Sequence, residues 1–166
     1  MKRQISLSIL ADNTAGVLSR ISALFTRRNY NIDSLTAGVT ADPRYTRMTV
    51  VASGSESVLE QITKQVSKLE EVRDVKVLED DTSVQRELIM IKIKCTPSER
   101  QDIVSLTSIF RANIIDVGQE SLVIEATGAK GKLKALLDLL NGFEILEIAR
   151  TGITGLTRGT DQVVYL

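Results

Sequence analysis

Histidine and tryptophan are both absent from the 166-residue sequence. Without histidine, the commonest general base and the commonest transition-metal ligand are missing. Catalysis would fall to Asp, Glu or Lys, and no loop gathers these into a convergent motif. Cysteine occurs once, at Cys95, so no internal disulfide can form, which suits a reducing cytoplasm. Lys plus Arg equal Asp plus Glu at 21 each, and a balanced chain has no net field to steer nucleic acid or an anionic membrane. Aromatics are few, three Phe and three Tyr. No strand carries the aromatic pattern with which RNA-binding sheets stack bases. No apolar run approaches the roughly 20 residues of a spanning helix. The opening MKRQISLSIL alternates polar and apolar residues, which reads as a strand rather than a signal peptide. The expectation is a chain without catalytic residues, metal centre, nucleic-acid partner or membrane span.

What is present is ordered. Ile5, Leu7 and Ile9 alternate with polar residues and predict a half-buried strand. Val17, Leu18, Ile21, Leu24 and Phe25 follow at helical spacing. Residues 31–40 and 46–53 predict a hairpin across the Asp42-Pro43 turn. Val58, Leu59, Ile62, Val66 and Leu69 mark a second helix, and Val75 and Val77 a fourth strand. This β-α-β-β-α-β order is a split βαβ, or ferredoxin-like, unit. After the acidic stretch EDDTSVQRE, which reads as a linker or the approach to a strand, the order repeats. ELIMIKIKC is a strand; Pro97-Ser98 opens a helix through Ile103, Leu106, Ile109 and Phe110. A hairpin turns around Gln119-Glu120; GKLKALLDLLN is a helix and FEILEIAR a strand. The fold class is therefore α+β, with two ferredoxin-like units over 1–79 and 80–166 and an extended tail from TGITGLTRG onward. Each sheet keeps one face free of helices. Leu10 and Met48 are assigned to that face in the first unit, Leu88 and Met90 in the second, and a dimer is expected to cover such faces or edges.

The stretch DNTAGVL, residues 12–18, stands before the first helix. Asn13 or Thr14 can cap it and Gly16 relaxes the backbone, as any helix start requires. Small residues at Ala15 and Gly16 also let a ligand approach the open N–H groups, which attract a carboxylate or phosphate. No Lys or Arg lies within residues 12–18 and Asp12 is negative, which favours the carboxylate of a zwitterion. Asn31, after the helix, offers an amide donor and acceptor, although its spacing alone suits a turn residue. In TGAKGKLKA the glycines are too close for a nucleotide phosphate loop, and Leu133 stands where Ser or Thr should hold magnesium. Cys95 alternates with isoleucines and reads as core, and EDDT as a solvated linker.

ISLSILADNTAGVLSRISALFTRRNYNIDSLTAG closely resembles the N-terminal ACT domain of the regulatory (small) subunits of acetohydroxyacid synthase, also called acetolactate synthase. The resemblance continues through DPRYTRMTVV, RELIMIKI, IFRANIIDV, GKLKALLDLL and EIARTGITGLTRG, nearly the whole chain. It implies a subunit that is not catalytic on its own. It implies an ACT domain over 1–79 that dimerises and binds effector, and a cytoplasmic catalytic large subunit as partner. That partner would hold thiamine diphosphate, FAD and magnesium; this chain would hold no cofactor. The small subunit would activate it and confer feedback inhibition by a branched-chain amino acid, typically valine. The family's effector-site residues before the first helix match Asn13 and Gly16, and the asparagine after it matches Asn31. Ala15, Val17, Leu18 and Ile32 adjoin them as expected contacts. The alternatives are an amino-acid-sensing ACT regulator of a different metabolic enzyme and a small enzyme using carboxylates.

Overall fold

The computed structural model describes residues 3–160. Its elements are β1 (Arg3–Asp12), α1 (Val17–Arg27), β2 (Asn31–Val39), β3 (Tyr45–Gly54), α2 (Glu56–Val66), β4 (Val72–Val77), β5 (Ser83–Lys94), α3 (Arg100–Ile109), β6 (Asn113–Val117), β7 (Ser121–Gly128), α4 (Lys130–Leu140), β8 (Glu144–Arg150) and β9 (Thr154–Thr157). They form two compact units. One takes residues 3–85 with 153–160, the other Arg86–Gly152.

In the first unit the antiparallel sheet runs β2-β3-β1-β4. Ile5, Leu7, Ile9 and Ala11 of β1 and Met48, Val50 and Ala52 of β3 point to the helices. They pack with Val17, Ile21, Leu24 and Phe25 of α1 and Leu59, Ile62 and Val66 of α2. Burying each large apolar side chain contributes about 1.5–3 kcal/mol. Phe25 adds an edge-to-face contact with Tyr30, ring centroids 6.3 Å apart. The second unit repeats the permutation as β6-β7-β5-β8. Ile89, Ile91, Ile93, Ile124 and Leu122 face Ile103, Leu133, Leu136 and Leu140, and Cys95 lies buried in that core.

The first helix of each unit ends in the same way. Asn29 and Arg111 adopt φ of 54° and 51°. Behind them Tyr30 N donates to Phe25 O and Ala112 N to Thr107 O. A left-handed residue with this wider hydrogen bond stops a helix and turns the chain into the next strand.

The structure corrects several expectations. β1 is buried on both faces, because Ser6, Ser8 and Leu10 are covered as well, and Ser8 Oγ accepts a hydrogen bond from Arg47 Nη1 at 2.9 Å. Met48 belongs to the helix-facing side, in register with Ile9; Leu10 alternates to the other face and is also fully buried. Leu18 and Ile109 lie off their helix stripes, 44% and 73% exposed. α3 opens at Arg100 rather than at Pro97-Ser98. A reciprocal pair precedes it: Thr96 N donates to Glu99 Oε2 at 2.8 Å and Glu99 N to Thr96 Oγ1 at 3.4 Å, an N-terminal box. Of the two readings of EDDTSVQRE, linker and strand approach, the second holds for its later part, which is the start of β5. The segment read as an extended tail contains β9, which pairs with β5. Gly155 permits this fit: a β-carbon there would stand 2.8 Å from Leu78 Cδ1 and 3.0 Å from the Val84 carbonyl oxygen. Residues 153–160 thus return to the first unit, whereas they were expected in the second. The end of the tail, 161–166, lies outside the described residues.

Candidate functional site

β1 delivers the chain to the start of α1 through Asp12–Gly16. Asp12 N donates to Glu71 O at 2.8 Å and Asn13 N to Arg44 O at 2.7 Å. The Asn13 side chain does not cap α1. Its Nδ2 donates to the Pro43 carbonyl at 2.9 Å, tying the β2–β3 turn to the helix start. Neither Thr14 nor any other side chain caps α1; Gly16 occupies the cap position at φ 83°, left-handed backbone that glycine adopts without steric cost. Among the described residues, the backbone N–H groups of Ala15, Gly16, Leu18 and Ser19 donate no hydrogen bond. Open donors at a helix start carry partial positive charge.

Sequence spacing missed a cation here. Arg20, one turn into α1, folds back over the helix start. Its Nη2 donates to Ala15 O at 3.4 Å and its Nε meets Glu71 Oε1 at 2.5 Å. The guanidinium occupies the space that a side chain on Gly16 would take, with Nη1 3.2 Å from the β-carbon position. Arg73 Nε donates to Asp12 Oδ1 at 2.7 Å, and a second bond joins Nη2 to Oδ2. These hydrogen bonds hold the Asp12 carboxyl below the usual carboxylate range. Two cations and two carboxylates therefore balance around the helix start, a setting for a zwitterion rather than a phosphate. The missed signal was the four-residue step from Gly16 to Arg20, which places a long side chain over a residue that has none.

Asn13, Ala15, Gly16 and Leu18 are exposed and lie together at this end. Val17 does not join them, because it is buried in the core. Asn31 and Ile32 lie at the other end of the sheet: Asn31 pairs with Ser53, which pairs with Gln4. Gln4 and Asp12 are eight residue steps apart along β1, about 27 Å at ~3.4 Å per residue. Within one chain, Asn31 and Gly16 cannot share a small ligand. Ile32 packs against the core of the first unit. Asn31 Nδ2 donates to Asp33 Oδ1 at 2.5 Å, so the amide of Asn31, like that of Asn13, has its nitrogen engaged and its oxygen available as an acceptor.

No group of metal-ligating side chains occurs among the described residues, and no described helix is long and apolar enough to cross a membrane.

This fold, with a helix start left open at a Gly-containing turn, is that of an ACT domain. Residues 7–74 match the AHAS small subunit-like ACT domain and residues 86–159 match the family described as small subunit of acetolactate synthase. The acetolactate synthase small subunit of Mycobacterium bovis is 47% identical over 154 residues, covering 93% of this chain and 92% of its own. That of Bacillus subtilis is 44% identical over 163 residues, covering 98% and 94%. The crystal structure of the small subunit from Thermotoga maritima superposes with a TM-score of 0.86 at 38% identity, covering 95% of this chain and 99% of that one. The chain belongs to the acetolactate synthase small-subunit family.

Proposed function

We propose that this chain raises the activity of the catalytic large subunit of acetohydroxyacid synthase and makes it sensitive to feedback inhibition by a branched-chain amino acid, valine first. The condensation of pyruvate, with thiamine diphosphate, FAD and magnesium, belongs to the large subunit, in the cytoplasm. The observation that carries the reading is the open start of α1 at Gly16, where uncommitted N–H groups and balanced charges suit the carboxylate of an amino acid.

The other half of the site comes from a second copy. β2 is an edge strand of its sheet, with backbone groups open to pairing. Antiparallel pairing of two β2 edges about Leu35, an isologous contact, brings Asn31 of the second copy towards Gly38 and Val39, because Leu35 is the midpoint of β2 and the bulge shifts the register by one residue. Val39 pairs with Thr46, which pairs with Ala11, at the end where Gly16 lies. The ammonium group then meets the side-chain oxygens of Asn13 and the second copy's Asn31. Leu18, the accessible apolar residue at the helix start, meets the isopropyl group. A site shared by two copies binds only when they are correctly apposed. Effector binding therefore biases dimer geometry, and a coupling of about 1–3 kcal/mol would change apparent affinity roughly 5–150-fold.

Calorimetric titration with valine, leucine and isoleucine, beside Gly16→Asp, tests the site, and reconstitution with the large subunit tests the role. Saturable binding by the wild type, lost in Gly16→Asp while activation persists, is expected. Absence of both binding and activation contradicts the reading.

A further inference from the structure

Asp33 sits at a register shift between Ile32 and Ser34, where a bulge places an extra residue and re-aims its side chain. Its carboxylate gathers polar groups from three strands on the face away from the helices. Oδ1 accepts from Asn31 Nδ2 at 2.5 Å. Oδ2 accepts from Gln4 Nε2 at 2.8 Å and from the Ser53 hydroxyl. Gln4, Ser53 and Asn31 are neighbours in one cross-strand row; Asp33 is the acceptor they share.

The consequence falls on Asn31. An asparagine amide can present either its nitrogen or its oxygen to a ligand. With Nδ2 held by Asp33, Asn31 presents Oδ1, and the Asp33 carboxylate lies on the nitrogen side of the same amide. The pair thus offers an acceptor with negative charge nearby, whereas the start of α1 offers donors and partial positive charge.

We infer that Asp33 is a positioning residue for the effector's ammonium group, fixing the Asn31 amide and making the site selective for an α-amino acid over its deaminated analogues. This inference rests on the effector reading above. The chemistry that recognises the ligand is a charge-assisted hydrogen bond to the Asn31 oxygen, strengthened by the nearby Asp33 charge.

The test compares valine with 2-hydroxy-3-methylbutanoate, which keeps the carboxylate and the isopropyl group but carries a hydroxyl in place of the ammonium. Wild type, Asp33→Ala, Asp33→Asn and Gly16→Asp are titrated with both by calorimetry, with folding checked by thermal melts. Asp33→Ala should weaken valine by about tenfold or more while leaving the hydroxy acid within about twofold, so that the preference collapses. Asp33→Asn keeps an acceptor and removes the charge; it should fall between. Equal weakening of both ligands, or an unchanged preference, would overturn the inference and leave the effector site standing. Absence of valine binding to the wild type would overturn the effector reading and this inference with it.

Discussion

The guanidinium of Arg20 stands where a side chain on Gly16 would go, Nη1 lying 3.2 Å from the β-carbon position. The helix start is shaped by an absence at one residue and a folded-back cation four residues later. Gly16→Ala therefore imposes two costs. Left-handed backbone at φ 83° disfavours a β-carbon by about 1–2 kcal/mol, and the guanidinium must shift. Denaturant melts should report a loss of about 1–2 kcal/mol. Valine titration should show affinity falling roughly tenfold, while activation of the large subunit stays near wild type.

Three carboxyls, two half-buried and one exposed, contribute to the acid limit of stability. Asp12 is held below its ordinary pKa by the Arg73 hydrogen bonds, Asp42 by those of Arg44, and Glu99 by the backbone and side chain of Thr96. A carboxyl whose folded pKa lies below its unfolded value stabilises the fold above the unfolded pKa. That contribution is withdrawn as pH falls through the folded value. Urea midpoints should be level from neutral pH to about pH 5 and decline below about pH 4. Glu99→Gln should make the decline shallower; a decline as steep as that of the wild type would show that this carboxyl does not participate.

In the second unit, Glu87 is 7% exposed at its side chain and is met by Arg150 through two bonds of 2.8 and 2.7 Å. Arg150→Ala would leave that carboxylate buried without its partner. Because Arg150 is itself 44% exposed, the cost should sit at the lower end of the range for broken buried pairs, about 3 kcal/mol. Disruption of the exposed Arg3–Glu56 pair by Glu56→Ala serves as the control and should cost distinctly less, because solvent screens an exposed pair. Equal losses in the two variants would contradict the difference in burial.

β9 depends on a glycine for a different reason. Gly155 has an ordinary negative-φ backbone in a place with no room for a β-carbon, between Leu78 Cδ1 and the Val84 carbonyl. Gly155→Val should destabilise the first unit by about 1–3 kcal/mol, the range for forcing extra methyl groups into packed structure. Amide hydrogen exchange should show the loss around Leu78 and residues 83–85.

Both β-α-β-β-α-β orders were legible because the core strands and helices keep clean periods: Ile89, Ile91 and Ile93 alternate, and Ile21, Leu24 and Phe25 follow a helix stripe. Assigning faces was harder. Met48 and Leu10 lie one residue out of step across β1 and β3, and apolar character alone does not say which face each takes. β9 is four residues long, with a Gly at its second position, too short to show a period. Asn13 and Gly16 were read as site candidates from motif and resemblance, whereas Arg20 and Arg73, which gather at the same helix start, and Asp33, which holds Asn31, were not. Their roles arise from side chains reaching across elements, such as Arg73 on β4 meeting Asp12 on β1, and local spacing carries no trace of that. The separation of Asn31 from Gly16 within one chain follows from the strand register, which sets Asn31 beside Ser53 and Gln4, at the end of β1 opposite Asp12.

That separation leads to the most direct measurement. Gly16→Asp and Asn31→Ala chains each lack one half of every shared site, so neither should bind valine alone. Mixed and allowed to exchange, they form hybrid dimers in which one site combines an intact Gly16 from one copy with an intact Asn31 from the other. Calorimetry on the mixture should show valine binding restored to a fraction of the wild-type stoichiometry with near wild-type affinity. If exchanged hybrids bind no more valine than either variant alone, the site is not shared between two copies.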